Sequence, residues 1–420
     1  MLNTLTLAWR NIFRYRVRTI ITLVAIAVSV CISILVDGLL RGVNEQSLFN
    51  LTTYETGEVT LYADGYFADR ASYPTEHLLE ESQRKTLDQI LDSHGIAFAP
   101  RYKTVADLSF YDEGHDLDAS RSAVLVGVDP QRDGAVFRLP RSVSSGRWLE
   151  TGDDGVVVGE GLADKLNLSV GSLLTIQGKG REGFLETFDA PVVGILTTEN
   201  PVVNSSELFM TLDALDGMFA LDGGVTEYAV SDGKVSLAGP RFLKRIRSLI
   251  TPVSGIQAYD WREVESDLVA VMNGDKGSSL MILVFLFLLA AAGITNTMLM
   301  AVMERRKECA MLRAMGFSRG AVTSLFVWEG VMTGLLGALS GALAGALATY
   351  PLAKYGIDLS GMLPADIDLG YRITLVMRSG YYPQSFIGIP LCAVALSALS
   401  CLVPVARATK EDVASLLRRS

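Results

Sequence analysis

Four apolar runs govern what this chain can fold into: residues 20–40, 279–303, 322–352 and 386–405. Each holds at least 20 residues and at most one charged side chain. A helix rising about 1.5 Å per residue over that length crosses the roughly 30 Å hydrocarbon layer of a bilayer. The pattern predicts a membrane protein with four transmembrane α-helices. The first run is too long for the apolar segment of a cleaved signal peptide. No A-x-A site follows it, which marks it as an uncleaved span.

Charge sets the expected orientation. Residues 1–19, a candidate amphipathic entry helix, carry Arg10, Arg14, Arg16 and Arg18 and no acid. Residues 304–320 carry five bases against Glu304 and Glu308, and the last sixteen residues carry four against Glu411 and Asp412. Residues 43–276 hold 37 acids and 20 bases, a net of −17, and the loop 353–385 is balanced. Basic segments stay in the cytoplasm. Both termini, the loop 304–320 and the tail 406–420 are therefore expected inside, with 41–276 and 353–385 outside. The cysteines are Cys31, Cys309, Cys392 and Cys401, so the large outside segment folds without disulfides, as its size permits.

That segment reads as a large mixed α/β domain. Residues 56–70 alternate Val59 and Leu61 as a strand ending in a glycine-containing turn. A 3.6-residue period in Leu78, Leu79, Leu87, Ile90 and Leu91 predicts a helix over 76–91. Strands are expected at 122–130 and 188–198, with a strand, short helix, glycine turn and strand over 155–176. Helices are expected over 241–250 and 261–272. The sequence NGDKGS at 273–278 reads as a flexible connection to the second span. Residues 136–235 are expected to form a strand-rich subdomain, separate from one built of 43–135 and 236–276.

The third apolar run carries Gly330 and Gly334, then Gly337, Gly341 and Gly345, at intervals of four, with Ala338, Ala342 and Ala346 beside them. Small residues at that spacing let helix backbones approach closely in lipid. Glu329, one to two turns inside the same run, needs a partner or a water-lined face. It serves either structure near the interface or coupling.

Between the second and third runs, residues 304–315 predict a short helix. Gly316 is its expected left-handed cap and Ser318 the expected cap of the next helix. Arg305, Arg306 and Arg313 suit lipid headgroups. Met311, Leu312 and Met315 offer an apolar face between charges, suited to a protein groove.

No G-x-x-x-x-G-K-[ST] loop, H-E-x-x-H or G-x-S-x-G occurs, which argues against a nucleotide site or a catalytic centre on this chain. No cofactor, metal or nucleic acid is expected.

The stretch ERRKECAMLRAMGFSRGAVTSLFVWEGVMTGLLGALSGALAG (304–345) resembles the coupling-helix signature of FtsX-like ABC transporter permeases. In that family E-R-x-x-E-x-x-x-L-R-A-x-G precedes a Glu-containing, Gly-rich third span. LAWRNIFRYRVRTIITLVAIAVSV (7–30) is similar to the family's entry helix and first span. PVARATKEDVASLLR (404–418) is similar to its C-terminal ending, with Val413 where proline is usual. GEVTLYADGYFADR and GRWLETGDDGVVVGEGLADKLNLSVGSLLTI resemble the extracytoplasmic domain of the LolC/LolE-type, lipoprotein-releasing branch.

The resemblance implies a bacterial inner-membrane permease with a MacB-type periplasmic core. It is not itself an enzyme. Two permease subunits, alike or different, pair, and two cytosolic ABC ATPase subunits dock on their coupling helices. Here the docking residues are Glu304, Arg305, Arg306, Glu308, Met311, Leu312, Arg313, Met315 and Gly316. Movements passed to the outside domains extract or release lipoprotein, with a periplasmic carrier as a further partner. The resemblance leaves two alternatives. One is a MacB-type exporter of peptides, toxins or drugs, which usually carries its ATPase on the same chain. The other is an FtsX-type signalling permease that regulates a cell-wall hydrolase, usually with a smaller outside domain.

Overall fold

A computed structural model describes residues 16–111, 117–181, 183–232, 240–359, 372–373 and 376–408. Most of the expected entry helix and cytoplasmic tail, and much of the loop 353–385, lie outside the described residues. The chain divides into two compact units. One comprises Met1–Val43, Met272–Leu359 and Val376–Ser420; the other comprises Asn44–Val271 and Ser360–Leu375.

Helices of eight or more residues run in the order α1 (Arg16–Tyr54), α2 (Glu81–Ser93), α3 (Leu212–Phe219), α4 (Pro240–Ile250), α5 (Ser266–Glu304), α6 (Arg306–Ala314), α7 (Arg319–Lys354) and α8 (Pro383–Ala408). Among the described residues, four helices are long and apolar enough to cross a membrane, namely α1, α5, α7 and α8. Each contains one of the four apolar runs. In the helical unit they share a core of Ile26, Val30 and Ile34 from α1, Phe287, Ile294, Met298 and Ala301 from α5, Ala338 from α7, and Ile389 and Ala393 from α8. Leu335, Leu339, Leu343 and Leu347 form an exposed stripe on α7, as expected where lipid is the solvent.

Helix α5 corrects one expectation. It is continuous over 39 residues and passes straight through NGDKGS. Each glycine costs a helix about 1 kcal/mol. Helix on both flanks makes propagation through the segment cheaper than two new ends.

The second unit is built on a ten-stranded sheet. Its strands are β1 (Val59–Ala63), β2 (Ala97–Tyr111), β3 (Leu117–Val128), β4 (Val143–Gly146), β5 (Val156–Gly159), β6 (Leu173–Lys179), β7 (Leu185–Leu196), β8 (Glu207–Thr211), β9 (Glu227–Ser231) and β10 (Ile256–Asp260). They lie in the order β10-β1-β9-β2-β3-β8-β5-β7-β4, with β6 pairing β2 and β7. β3/β8 and β5/β7 are parallel and the other pairs antiparallel.

Successive side chains on a strand point to opposite faces, and here both faces are covered. On β8, Leu208 and Met210 enter the main core while Phe209 enters a second one. On β5, Val156 and Val158 do the same opposite Val157. Burial on both faces explains why these strands read as unbroken apolar runs.

The expected boundary of a strand-rich subdomain is not drawn by this sheet. β2 pairs with β9 at Ala97↔Ser231, with β3 at Arg101↔Val128 and with β6 at Ala106↔Gly178, so the sheet is continuous across 136–235.

Helix α2 starts later than its hydrophobic period suggests. The Leu79 N–H donates to Val225 O at 2.8 Å and Val225 N–H donates to Leu79 O at 3.1 Å, so Leu79 is committed to a bridge. A capping box between Glu80 and Gln83 then opens the helix.

Candidate functional site

The short basic helix and the foot of the third long helix form one constellation within the helical unit. Helix α5 ends at Glu304, and Arg305 takes a non-helical conformation (φ −102°, ψ 17°) before α6 begins. That break turns the Arg305 side chain inward, where it is 6% exposed. Its Nη1 donates to Glu329 Oε2 at 3.2 Å and its Nε donates to Glu308 Oε2 at 3.0 Å. The guanidinium carbon stands 5.2 Å from the Phe326 ring centroid.

Glu329, 2% exposed on α7, thus has the cation that its apolar surroundings demand. One arginine ties the root of α6 to α7 and, through Glu308, to α6 itself.

The far end of α6 is closed by a Schellman motif. Gly316 has φ +96°, its N–H donates to Arg313 O at 3.0 Å, and Phe317 N–H donates to Leu312 O at 3.1 Å. An L side chain at that φ is strained, so glycine is required there. Ser318 Oγ then accepts from Ala321 N at 3.1 Å and caps α7. Both expected caps are present.

The expected apolar docking face divides in two. Leu312 packs inward against Val302, Val322, Phe326 and Val405. Met311 and Met315 face outward, 52% and 69% exposed, and Phe317 beside them is 48% exposed. Among the charged candidates, Glu304 is exposed, Glu308 and Arg313 are half-buried, and the Arg306 side chain lies outside the description.

Arg305 was expected to meet a partner protein; its burial against Glu329 makes it a structural tie instead. Phe317 was not expected at all. It follows the capping glycine and so lies outside any helical period.

The five spaced glycines of α7, from Gly330 to Gly345, all serve contacts within the chain, on two different helices. A Cβ at Gly330 would lie 2.3 Å from Cys401 Sγ, and one at Gly334 would lie 2.8 Å from Ser397 Cβ, both on α8. Ser397 Oγ donates to Gly330 O at 2.8 Å. Cβ atoms at Gly337, Gly341 and Gly345 would lie 2.8 Å from Ile26 Cβ, 2.5 Å from Ala27 O and 3.3 Å from Ile34 Cβ, all on α1. Helix α7 is thus gripped by α8 near Glu329 and by α1 farther along.

Among the described residues no group of three or more His, Cys, Asp or Glu side chains could hold a metal ion.

Comparison with known proteins covers both units. The model described as FtsX-like permease C-terminal matches residues 280–413, and that described as MacB-like periplasmic core domain matches residues 19–236. The lipoprotein-releasing system transmembrane protein LolC of Neisseria meningitidis serogroup B is 22% identical over 325 residues, 71% of this chain and 73% of that protein. The uncharacterized ABC transporter permease MJ1507 of Methanocaldococcus jannaschii is 22% identical over 348 residues, 79% of each. The macrolide export ATP-binding/permease protein MacB of Escherichia coli is 22% identical over 339 residues, 79% of this chain and 50% of that protein. Relatives with different names stand at the same identity, so identity alone does not select a substrate.

Proposed function

Because the chain belongs to the LolC/MacB-type ABC transporter permeases, with an FtsX-like C-terminal region and a MacB-like periplasmic core domain, we propose that it is the membrane subunit of a machine driven by a separate cytosolic ATPase. Its work is to extract or release lipoprotein from the inner membrane. In this reading α1, α5, α7 and α8 cross the bilayer with both termini inside, and the sheet unit lies in the periplasm. Two permease subunits, identical or not, pair, and each receives one ATPase subunit at α6.

The observation that carries the proposal is the division of labour on α6. Met311 on its outer face and Met315 and Phe317 in the turn after it are exposed, while Leu312 and, just before the helix, Arg305 hold the inner side against the helical unit. An apolar face is suited to a groove on a partner. The ties behind it pass a push from that partner to α7 instead of letting the helix slide along the membrane.

A second reading, export of peptides, toxins or drugs, is favoured by one observation. The match to MacB covers 79% of this chain at the same identity as the match to LolC.

The test is co-purification of the ATPase with the full-length permease. Met315→Asp combined with Phe317→Asp puts two carboxylates into the docking contact, where burial without a partner costs several kcal/mol. ATPase retention should be lost while the permease unfolds at its normal temperature. A double variant that still holds its ATPase overturns the docking face. Depletion of the chain in cells then separates the readings. Lipoprotein held back in the inner membrane supports release, whereas drug or peptide sensitivity with normal lipoprotein sorting supports export.

A further inference from the structure

Arg372, in the segment between α7 and α8, belongs to the sheet unit. Its backbone is held on both sides by the last turns of α1. Its N–H donates to Ser47 Oγ at 2.8 Å, and its carbonyl accepts from Asn50 Nδ2 at 2.7 Å. Ser47 and Asn50 are fully buried.

The Arg372 guanidinium then faces two carboxylates from different parts of the chain. Nε lies 2.9 Å from Oε1 of Glu55, the residue that follows α1. Nη2 lies 3.3 Å from Oε2 of Glu265, the residue that precedes α5. Nη2 donates a hydrogen bond to Glu265, whereas Nε stands beside Glu55 as a close charge pair without hydrogen-bond alignment, and one extended guanidinium spans both carboxylates where a compact ammonium would reach one.

The end of α1 has other attachments. Arg101 Nη1 donates to the Tyr54 and Glu55 carbonyls, both at 3.4 Å, and Lys103 Nζ donates to the Glu55 carbonyl at 3.2 Å. These cations from β2 suit the negative end of the helix dipole. They are themselves paired, Arg101 with Asp133 and Lys103 with Glu227, each at 2.8 Å. The start of α5 is held separately, by Arg70 Nε donating to Val264 O at 3.0 Å and by Arg70 Nη2 donating to Ser266 Oγ at 3.5 Å. The two ends are neighbours through the β1/β10 ladder, where Val59 pairs with Asp260, and Arg372 adds a charged tie that reaches a carboxylate at each of them. Burial and the neighbouring Glu55 push the Glu265 carboxyl above its ordinary range, and Arg372, then Lys103 and Arg70, oppose them.

We propose that Arg372 is a positioning residue that fastens the end of α1 to the start of α5, so that these two ends move as one body during the transport cycle. The coupling half of this inference rests on the permease reading; the fastening half does not.

Amide hydrogen exchange on the full-length chain in lipid nanodiscs tests the fastening. Arg372→Ala should raise exchange by about tenfold or more in peptides from both 44–56 and 262–271. Arg372→Lys, able to face one carboxylate at a time, should restore protection to one segment and not to both. An unchanged rate in either segment of the Ala variant, or full rescue by Lys, overturns the fastening.

The same variants bound to the ATPase test the coupling. The difference in sheet-unit exchange between ATP-analogue-bound and nucleotide-free complex should vanish in Arg372→Ala while ATP turnover continues. If that difference keeps its wild-type size, the coupling role is wrong. If the wild-type complex shows no such difference, the permease reading fails, and the exchange of the unliganded chain still decides the fastening.

Discussion

Alanine substitutions at four glycines should rank by the distance a new Cβ has to its nearest neighbour. That distance is 2.5 Å at Gly341, 2.8 Å at Gly337 and 3.3 Å at Gly345, whereas Gly293 on α5 meets nothing within 4 Å. Non-bonded carbon atoms prefer separations of about 3.5–4.0 Å. Gly341→Ala must therefore push α1 and α7 apart by about 1 Å, against a backbone oxygen that cannot rotate away. Overpacking of that kind costs about 1–3 kcal/mol. Against it stands the helix-propensity gain of alanine over glycine, about 1 kcal/mol.

The net expectation is a loss of up to about 2 kcal/mol at Gly341, a smaller loss at Gly337, little change at Gly345 and a gain of up to about 1 kcal/mol at Gly293. Equilibrium unfolding of the purified full-length chain, followed by circular dichroism as a denaturing detergent is titrated in, reads all four on one scale. If Gly341→Ala stabilises the chain as Gly293→Ala does, α1 and α7 do not pack through this face.

Two further outcomes follow from buried charge. Arg305→Ala takes the guanidinium from beside Glu329 and should destabilise the chain by about 3–5 kcal/mol, whereas Arg305→Met with Glu329→Leu should recover most of that; equal losses in the same detergent titration would show that the pair is not coupled. In the sheet unit, burial and then the nearby Asp232 push Glu58 up to about 7, above the ordinary 4.5. Burial and Glu55 likewise raise Glu207. The folded state therefore binds these protons more tightly than the unfolded chain, so their contribution is fully present below about pH 4.5 and is lost as pH rises through about 7. Thermal unfolding should fall across that window, less steeply in Glu58→Gln, and a midpoint that is flat or rising in the wild type contradicts the assignment.

What could be read from the sequence was whatever depends on neighbours along the chain. Uncharged length was enough to find the four long helices, and glycine followed two residues later by serine was enough for the caps at Gly316 and Ser318. Short runs of apolar and β-branched residues were enough for the strands around Val59, Val124 and Val192. Most of the misses depend on distant partners.

Met311, Leu312 and Met315 fall on adjoining positions of a short helix. Val302, Phe326 and Val405, supplied by three other helices, decide which of them turns inward. Arg305, Arg306 and Arg313 are equivalent as sequence, and only the break after Glu304 singles out Arg305 for Glu329. The NGDKGS segment carried every local sign of a loop, and the helices on either side of it overrode them. Arg372 sits in a charge-balanced loop with nothing nearby to mark it, because its carboxylates lie 107 and more residues away in sequence.

The position of β1 in the sheet also sets an order of events at synthesis. Val59 pairs with Val230 on one side and with Asp260 on the other, so neither neighbour exists until some 170–200 further residues have been made. At roughly 5–20 residues per second, that wait lasts on the order of 10–40 s. Throughout it, VTLYA is an unpaired strand with five side chains that all end up buried, the kind of segment that recruits wrong partners. Helix α1, by contrast, needs only its own residues to form. The nascent chain can therefore anchor early and must then keep one sticky strand unsatisfied until the last of the sheet arrives.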